Sequence, residues 1–422
     1  MKIGVVPDLR TSAGGIYQYS MTILNALREW TSDGSLDQFV ILTEDRSHPL
    51  LQEFRKPTWT VDVPQPHSYK KTAKRVLTRF GLDALTLEIM ERFQSGSNKL
   101  DVDRVQSRPH DKQWLQSLGI ELMLYPTPQA RSFEIGLPYM MAIHDLQHRL
   151  QPEFPEVSAN GEWNYREYLF RNGARHALIV LTDSEVGKED VLNFYGEYGV
   201  QPDRVKVLPF LPASYLPSEV SADEQRRVRR TYNLPERFLF YPAQFWPHKN
   251  HARIIRALGL VKEQKIEAPI VFCGSSEGSI RRAALKEVMK IASENRVTKQ
   301  ILNLGYVPDD DMAGLYAAAA ALVMPTFFGP TNIPVLEARR FGCPVITSDI
   351  RGIREQVGNA AILVDPKSVE AIADGIQKIW TDAQFSRALA ANGRHRLSSY
   401  TPADFRKRLV NIIEEAKAYG IC

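Results

Sequence analysis

The chain has 422 residues, 44% hydrophobic and 24% charged, a composition that fits a folded protein and excludes a disordered or fibrous one. That length exceeds what one core usually holds, so two domains are expected. With 53 Lys and Arg against 49 Asp and Glu, the net charge of +4 is too small to argue for nucleic acid as a partner.

Cys273, Cys343 and Cys422 form no CxxC pair and no even-numbered framework, so neither disulfides nor zinc is supported and a reducing cytoplasm fits. Met1 to Pro7 lacks the apolar core of a signal peptide, and no run approaches the length that spans a bilayer. The expectation is a cytoplasmic protein, at most peripheral on the inner face of a membrane.

In chain order, KIGVV from Lys2 is the first of a series of short apolar, β-branched runs. It is followed by Gly14-Gly15, which opens a helix with an apolar face of Ile16, Tyr17, Met21, Ile23, Leu24 and Leu27. Two glycines there admit a phosphate close to the free N–H groups at the positive helix end, or simply make a turn. The next run is FVILT from Phe39. Between Pro64 and Pro109 the pattern breaks. Ser68 to Phe80 in that stretch carries Lys70, Lys71, Lys74, Arg75 and Arg79 beside Val76, Leu77 and Phe80. It reads either as a solvated helix face or as a basic amphipathic helix that touches anionic lipid headgroups or a phosphorylated lipid acceptor. Then come LMLYP from Leu122, MMAIHD from Met140, LIVLT from Leu178 and VKVLP from Val205. Runs too apolar to alternate are strands buried on both faces of a parallel sheet. His144-Asp145 ends one of them, where an imidazole can bind a sugar hydroxyl or shuttle a proton, or anchor a loop with Asp145 as its cap.

After the Pro-punctuated stretch from Pro209 to Pro217 a second series begins: FLFYPA from Phe238, IVFCG from Ile270, ILNLG from Ile301, ALVMPT from Ala321, PVITS from Pro344 and AILVDP from Ala361. This predicts two α/β doubly wound, Rossmann-like units with a boundary near Pro212, giving domains 1–212 and 213–401 and a C-terminal helix within 402–422. FLFYPA leads through Gln244 to His248-Lys249-Asn250-His251, where a loop lysine is placed to neutralise a diphosphate. Asp309-Asp310-Asp311 after Pro308 reads as a helix start with a capping side chain rather than a metal cluster. The Gly-Pro-rich loop Pro325 to Ile333 has exposed amides and opens a helix that bears Glu337. That glutamate can accept two hydrogen bonds from a ribose diol, or oppose the helix dipole. Trp246 and Phe327-Phe328 are expected to pack rather than to stack on sugar.

Along nearly its whole length the chain resembles glycosyltransferase family 4, the retaining GT-B enzymes. The stations are Gly14-Gly15, His144-Asp145, Thr182-Asp183-Ser184-Glu185, His248-Lys249-Asn250-His251, Gly305-Tyr306-Val307 with Leu315-Tyr316, and Ile333 to Val345. The resemblance implies two Rossmann-like domains facing a central cleft, the nucleotide-sugar donor on the second domain and the acceptor on the first, with the C-terminal helix Pro402 to Ala418 crossing back to the first. There are two departures. The family's Glu-x7-Glu falls on Gly329 and Glu337, and its Gly-Arg pair falls on Ala243-Gln244.

The expected activity is retaining, metal-independent transfer of a hexose to a hydroxyl of a glycan or lipid-linked acceptor, in cell-surface polysaccharide synthesis. By the resemblance, GDP-mannose is the first donor and a UDP-sugar the second, and no cofactor is needed. Lys249, His144 and Glu337 are the catalytic candidates, meeting diphosphate, sugar or acceptor, and ribose respectively. Gly14, Gly15, Gln244, Thr331, Asn332 and Ile333 complete the donor site, and the resemblance implies that a donor phosphate oxygen takes the acceptor proton. A sugar-nucleotide epimerase of the same fold and a nucleotide-sugar-binding protein without catalysis are the alternatives.

Overall fold

The computed structural model describes residues 1–44, 48–54, 58–62 and 101–420. The basic segment with Lys70, Lys71, Lys74 and Arg75 lies outside the described residues. The first sheet comprises β1 Lys2–Val5, β2 Gln38–Leu42, β3 Trp59–Asp62, β4 Leu122–Tyr125, β5 Tyr139–Ala142, β6 Ile179–Thr182 and β7 Val205–Val207. The second comprises β8 Leu239–Pro242, β9 Ile270–Cys273, β10 Ile301–Asn303, β11 Ala321–Met324, β12 Val345–Ser348 and β13 Ile362–Val364. All pairings are parallel, in the orders β3-β2-β1-β4-β5-β6-β7 and β10-β9-β8-β11-β12-β13.

β4, β5, β6, β9, β11 and β12 are buried at every position, which is why they read as unbroken apolar runs. β3 is different. It is an edge strand that goes from buried Trp59 to exposed Thr60, and with no apolar run it was not expected. In each sheet the order reverses once, between β1 and β4 and between β8 and β11. Loops that leave such a switch point diverge to opposite faces and open a crevice at the carboxyl edge.

The helices that build the cleft and its hinge are α1 Gly15–Ser32, α2 Pro155–Ser158, α3 Glu185–Tyr195, α4 His251–Glu263, α5 Ser279–Glu294, α6 Asp309–Ala318, α7 Ile333–Arg340, α8 Arg351–Val357, α9 Ala383–Leu397 and α10 Pro402–Gly420. α10 packs on α1, with Phe405, Leu409, Ile412, Ile413 and Ala416 in the core of the first sheet. That spacing is one helical stripe, and each large side chain buried there stabilises by about 1.5–3 kcal/mol. Lys417 adds an ion pair to Asp37 at 2.7 Å. The chain therefore passes between the two domains twice, after β7 and again before α10.

At α6 the expected side-chain cap is absent. Pro308 is the N-cap and offers no side-chain hydrogen bond. Asp311 instead takes Arg227 and the Tyr232 hydroxyl, which ties the helix Ala222–Thr231 to α6.

Candidate active site

Loops from both sheets line a cavity of about 530 Å³ that includes His144, Asp183, His248, Lys249, Thr331 and Asn332. Lys249 ends the short turn Pro247–Lys249 after β8. Three bonds fix this turn. The Tyr241 hydroxyl donates to the Lys249 carbonyl at 2.8 Å, and the Asn250 side chain donates to the carbonyls of Pro325 (2.7 Å) and Pro366 (2.8 Å). Asn250 has φ 62°, a left-handed conformation that Asn tolerates better than most residues. The Lys249 ammonium makes no ion pair among the described residues, and burial in the cleft lowers it to about 8 against the pull of Asp145 and Glu156. The other cation on the wall, Arg166, is engaged by Glu162 (3.1 Å) and Asp145 (3.5 Å).

His144 stands two residues beyond β5, edge-on to Tyr19 with ring centres 4.8 Å apart. Its Nε2 lies 2.9 Å from the Pro126 carbonyl, which can only accept, so Nε2 carries the proton and Nδ1 is left as an acceptor. Burial lowers its pKa, so the ring is neutral near pH 7. A neutral ring with a free Nδ1 suits a hydroxyl donor rather than an anion.

Across the cleft the two domains are already joined. Glu156 on α2 holds His248, the Gln151 amide donates to the Phe327 carbonyl at 3.0 Å, and Arg351 on α8 pairs with Asp190 (2.9 Å) and Glu189 (2.7 Å) on α3. Thr331 donates to Asp183, a buried carboxyl that sequence reasoning left without a role; burial raises it to about 7, with the Thr331 and Ser184 bonds opposing.

The other expected donor residues lie off this cavity wall. A Cβ on Gly15 would stand 3.4 Å from Ile333 Cδ1, so the start of α1 meets the start of α7 face to face. Glu337, assigned to the ribose, is 5% exposed. It is buried on α7, where the Tyr316 hydroxyl donates to Oε2 at 2.6 Å, so the protein itself takes part of this carboxylate's acceptor capacity. It is also past the first turn of α7, which removes the helix-dipole reading. The Asn332 amide, assigned to donor oxygens, donates instead to Gln356 Oε1 at 3.1 Å. The free donor is the Asn332 side chain, whose buried Nδ2 has no partner among the described residues.

Residues 223–396 match the family described as "Glycosyl transferases group 1". The second domain is thus similar to the group 1 glycosyl transferases. O-antigen chain mannosyltransferase B of Escherichia coli is 27% identical over 262 residues, 61% of this chain and 66% of that protein. The serotype-specific mannosyltransferase WbdA of Escherichia coli is 24% identical over 61% of this chain but 31% of its own length. The chain thus spans just under two thirds of the first relative and under a third of the second. Among solved structures, Anabaena Alr3699/HepE with UDP and glucose superposes with a TM-score of 0.69 at 17% identity, covering 98% of this chain and all of that one. The fold is GT-B.

In this second domain both departures from the family pattern have structural counterparts. Gly329 has φ 129°, and a Cβ there would stand 3.0 Å from Asn332 Nδ2 and from Oδ1. The missing glutamate and the Asn332 side chain therefore compete for one place. Gln244 Oε1 accepts from Trp246 Nε1 at 3.0 Å and from Arg281 on α5 at 2.6 Å, and the Arg281 guanidinium lies 4.6 Å from the Trp246 ring centre. A cation from α5 thus borders the loop whose arginine is missing, and Trp246, which lines the cavity, is held by both neighbours. Phe327 packs on Phe154 across the cleft at 5.6 Å, which is packing as expected.

Proposed function

We propose that the chain is a retaining, metal-independent glycosyltransferase that moves a hexose from a nucleoside-diphosphate sugar to a hydroxyl of a glycan or lipid-linked acceptor in polysaccharide synthesis. One observation carries this: an unpaired ammonium, an unpartnered side-chain amide and an acceptor imidazole nitrogen, those of Lys249, Asn332 and His144, line one cavity between the two domains. Lys249 meets the diphosphate, where its charge counts most as negative charge grows on the departing oxygen. Asn332 Nδ2 donates to a sugar oxygen in place of the glutamate displaced at Gly329, and His144 Nδ1 accepts from a sugar or acceptor hydroxyl. Gly14, Gly15 and Ile333 close the donor site from the facing helix starts. Arg281, with Gln244 and Trp246, is a second cation near the phosphates. A donor phosphate oxygen takes the acceptor proton.

GDP-mannose is the first donor because two of the relatives are named mannosyltransferases, and a UDP-sugar is the second because the superposed Anabaena structure holds UDP. Nucleotide release is measured across a panel of nucleotide sugars, with and without EDTA. Release from GDP-mannose, dependent on acceptor and unaffected by EDTA, is expected. Conversion of the sugar nucleotide without release would make it an epimerase, and binding without turnover across the panel would make it a binding protein.

A further inference from the structure

Two other cavities, of about 580 and 310 Å³, lie at the hinge and share Leu211, Pro212, Arg339, Leu397 and Tyr400, so both touch both chain crossings. Arg339 lines both, Arg340 and Arg394 line the larger, and Arg396 and Arg408 the smaller. Among the described residues no carboxylate comes within 4.0 Å of any of these five. Their hydrogen bonds run to backbone carbonyls: Arg339 to Gln356 and Val357, Arg340 to Pro217, Arg394 to Phe341, Arg396 to Glu355 and Gln356, Arg408 to Val207.

Arg339 is the deepest, 2% exposed, and its Nε has no partner among the described residues. The carbonyls it meets end α8 and supply only a fraction of a negative charge. The nearby acids are committed elsewhere: Glu29 to Arg406 at 3.3 Å, Asp183 to Thr331 and Ser184, and Glu355 to the Glu185 amide at 3.4 Å. Room for the arginines is built in. Gly393 leaves space for the Arg339 stem, and a side chain on Gly342 would collide with the Arg394 guanidinium. Arg340 is half-buried and Arg394, Arg396 and Arg408 are exposed, so the cost falls on Arg339: a buried cation is normally paired, and this one has no counter-charge among the described residues.

We infer that the larger hinge cavity, lined by Arg339, Arg340 and Arg394, binds a small phosphate-bearing anion; it shares no lining residue with the Lys249 cavity, whereas the smaller one shares Asp183, Phe210 and Thr331 with it. The larger cavity is lined by α1, α7, the end of α9, the start of α10 and both crossings, so its occupant contacts every segment that must shift when the domains rotate. Binding and closure are then coupled, with reciprocal effects on affinity.

The test uses inorganic phosphate as probe, titrated by calorimetry and thermal unfolding into the full chain, into Lys249→Ala, and into Arg340→Gln/Arg394→Gln. Wild type and Lys249→Ala should bind phosphate alike, and the arginine pair should bind it at least tenfold more weakly. The unliganded melting temperature of the pair should not fall, because both side chains lie at the cavity surface. No response in wild type, or a response lost in Lys249→Ala but kept in the arginine pair, would overturn the inference. Kinetics separate two sources of the phosphate group. A free phosphate ester changes turnover at saturating acceptor, whereas a phosphate borne by the acceptor makes the arginine pair raise the acceptor KM. Either result supports the site, and the phosphate titration stands whether or not the transferase reading does.

Discussion

One oxygen of Glu156 in the first domain binds His248 in the second twice, at 2.6 Å from the ring Nδ1 and 3.1 Å from the backbone amide. The same histidine's carbonyl accepts from Phe327 N (2.8 Å) and Thr326 Oγ1 (3.1 Å), so a single residue joins both donor loops to the opposite domain. A hydrogen bond to a charged group contributes about 1.5–3 kcal/mol. Glu156→Ala is expected to open the unliganded molecule, seen as a larger radius of gyration in small-angle scattering, and to raise the donor KM about tenfold. An unchanged scattering profile would mean that Asp183–Thr331 and Arg351–Asp190 suffice to hold the domains together.

Lys249→Ala should lower turnover by on the order of a hundredfold, the scale for deleting one preorganised charge-stabilising group. Because burial lowers the ammonium to about 8, the free enzyme loses that charge as pH rises through about 8, and kcat/KM for the donor should fall there. Lys249→Arg, which stays charged, should remove that alkaline limb. Near wild-type turnover of the alanine variant at saturating donor would move the role to another cation, with Arg281 the first to test.

Glu337→Ala is expected to cost stability, the reverse of what a ribose contact alone implies. Removing the carboxylate leaves the buried Tyr316 hydroxyl without its acceptor, worth about 1–3 kcal/mol. Glu337→Gln retains an acceptor and should lose less. Thermal unfolding of both variants without ligand decides the matter: equal melting temperatures for alanine and wild type would return Glu337 to a purely ligand-binding role.

Asp183 titrates high because burial disfavours its charge, reaching about 7 from 3.8. The folded state therefore holds this proton more tightly than the unfolded chain does. Its contribution to stability is complete below about 3.8 and is lost as pH rises through about 7. Asp183→Asn cannot titrate. The melting temperature of wild type relative to this variant should decline between pH 4 and 7.5, and a flat difference would show that the carboxyl is ionised throughout.

Residue types signalled the sheets more fully than the site. Strands such as β4, β6 and β11 are legible because burial on both faces leaves unbroken apolar runs, whereas β3 lies at the edge and has only Trp59 to mark it. His144 was legible as a strand-end residue and Lys249, Thr331 and Asn332 as residues of loops that follow strands, which the parallel topology brings to one rim. Side-chain partnerships across the chain were not. Tyr316 and Glu337 are 21 positions apart, Gln244 and Arg281 are 37 apart, and nothing in local periodicity links either pair. Asp183 was noted only within a matching station, because its depth of burial is a property of the closed cleft.

α10 returns the chain to the first domain, so two separate crossings, not one, connect the halves. A single flexible strand would act like a ball joint and let the domains swivel in any direction. Two strands attached at different points act like the paired pins of a door: swinging about the line through both remains easy, while twisting and sliding are resisted. On the proposed reading, the rims that carry Lys249 and His144 would then return to the same alignment at each closing, with no need to search for it afresh in every cycle.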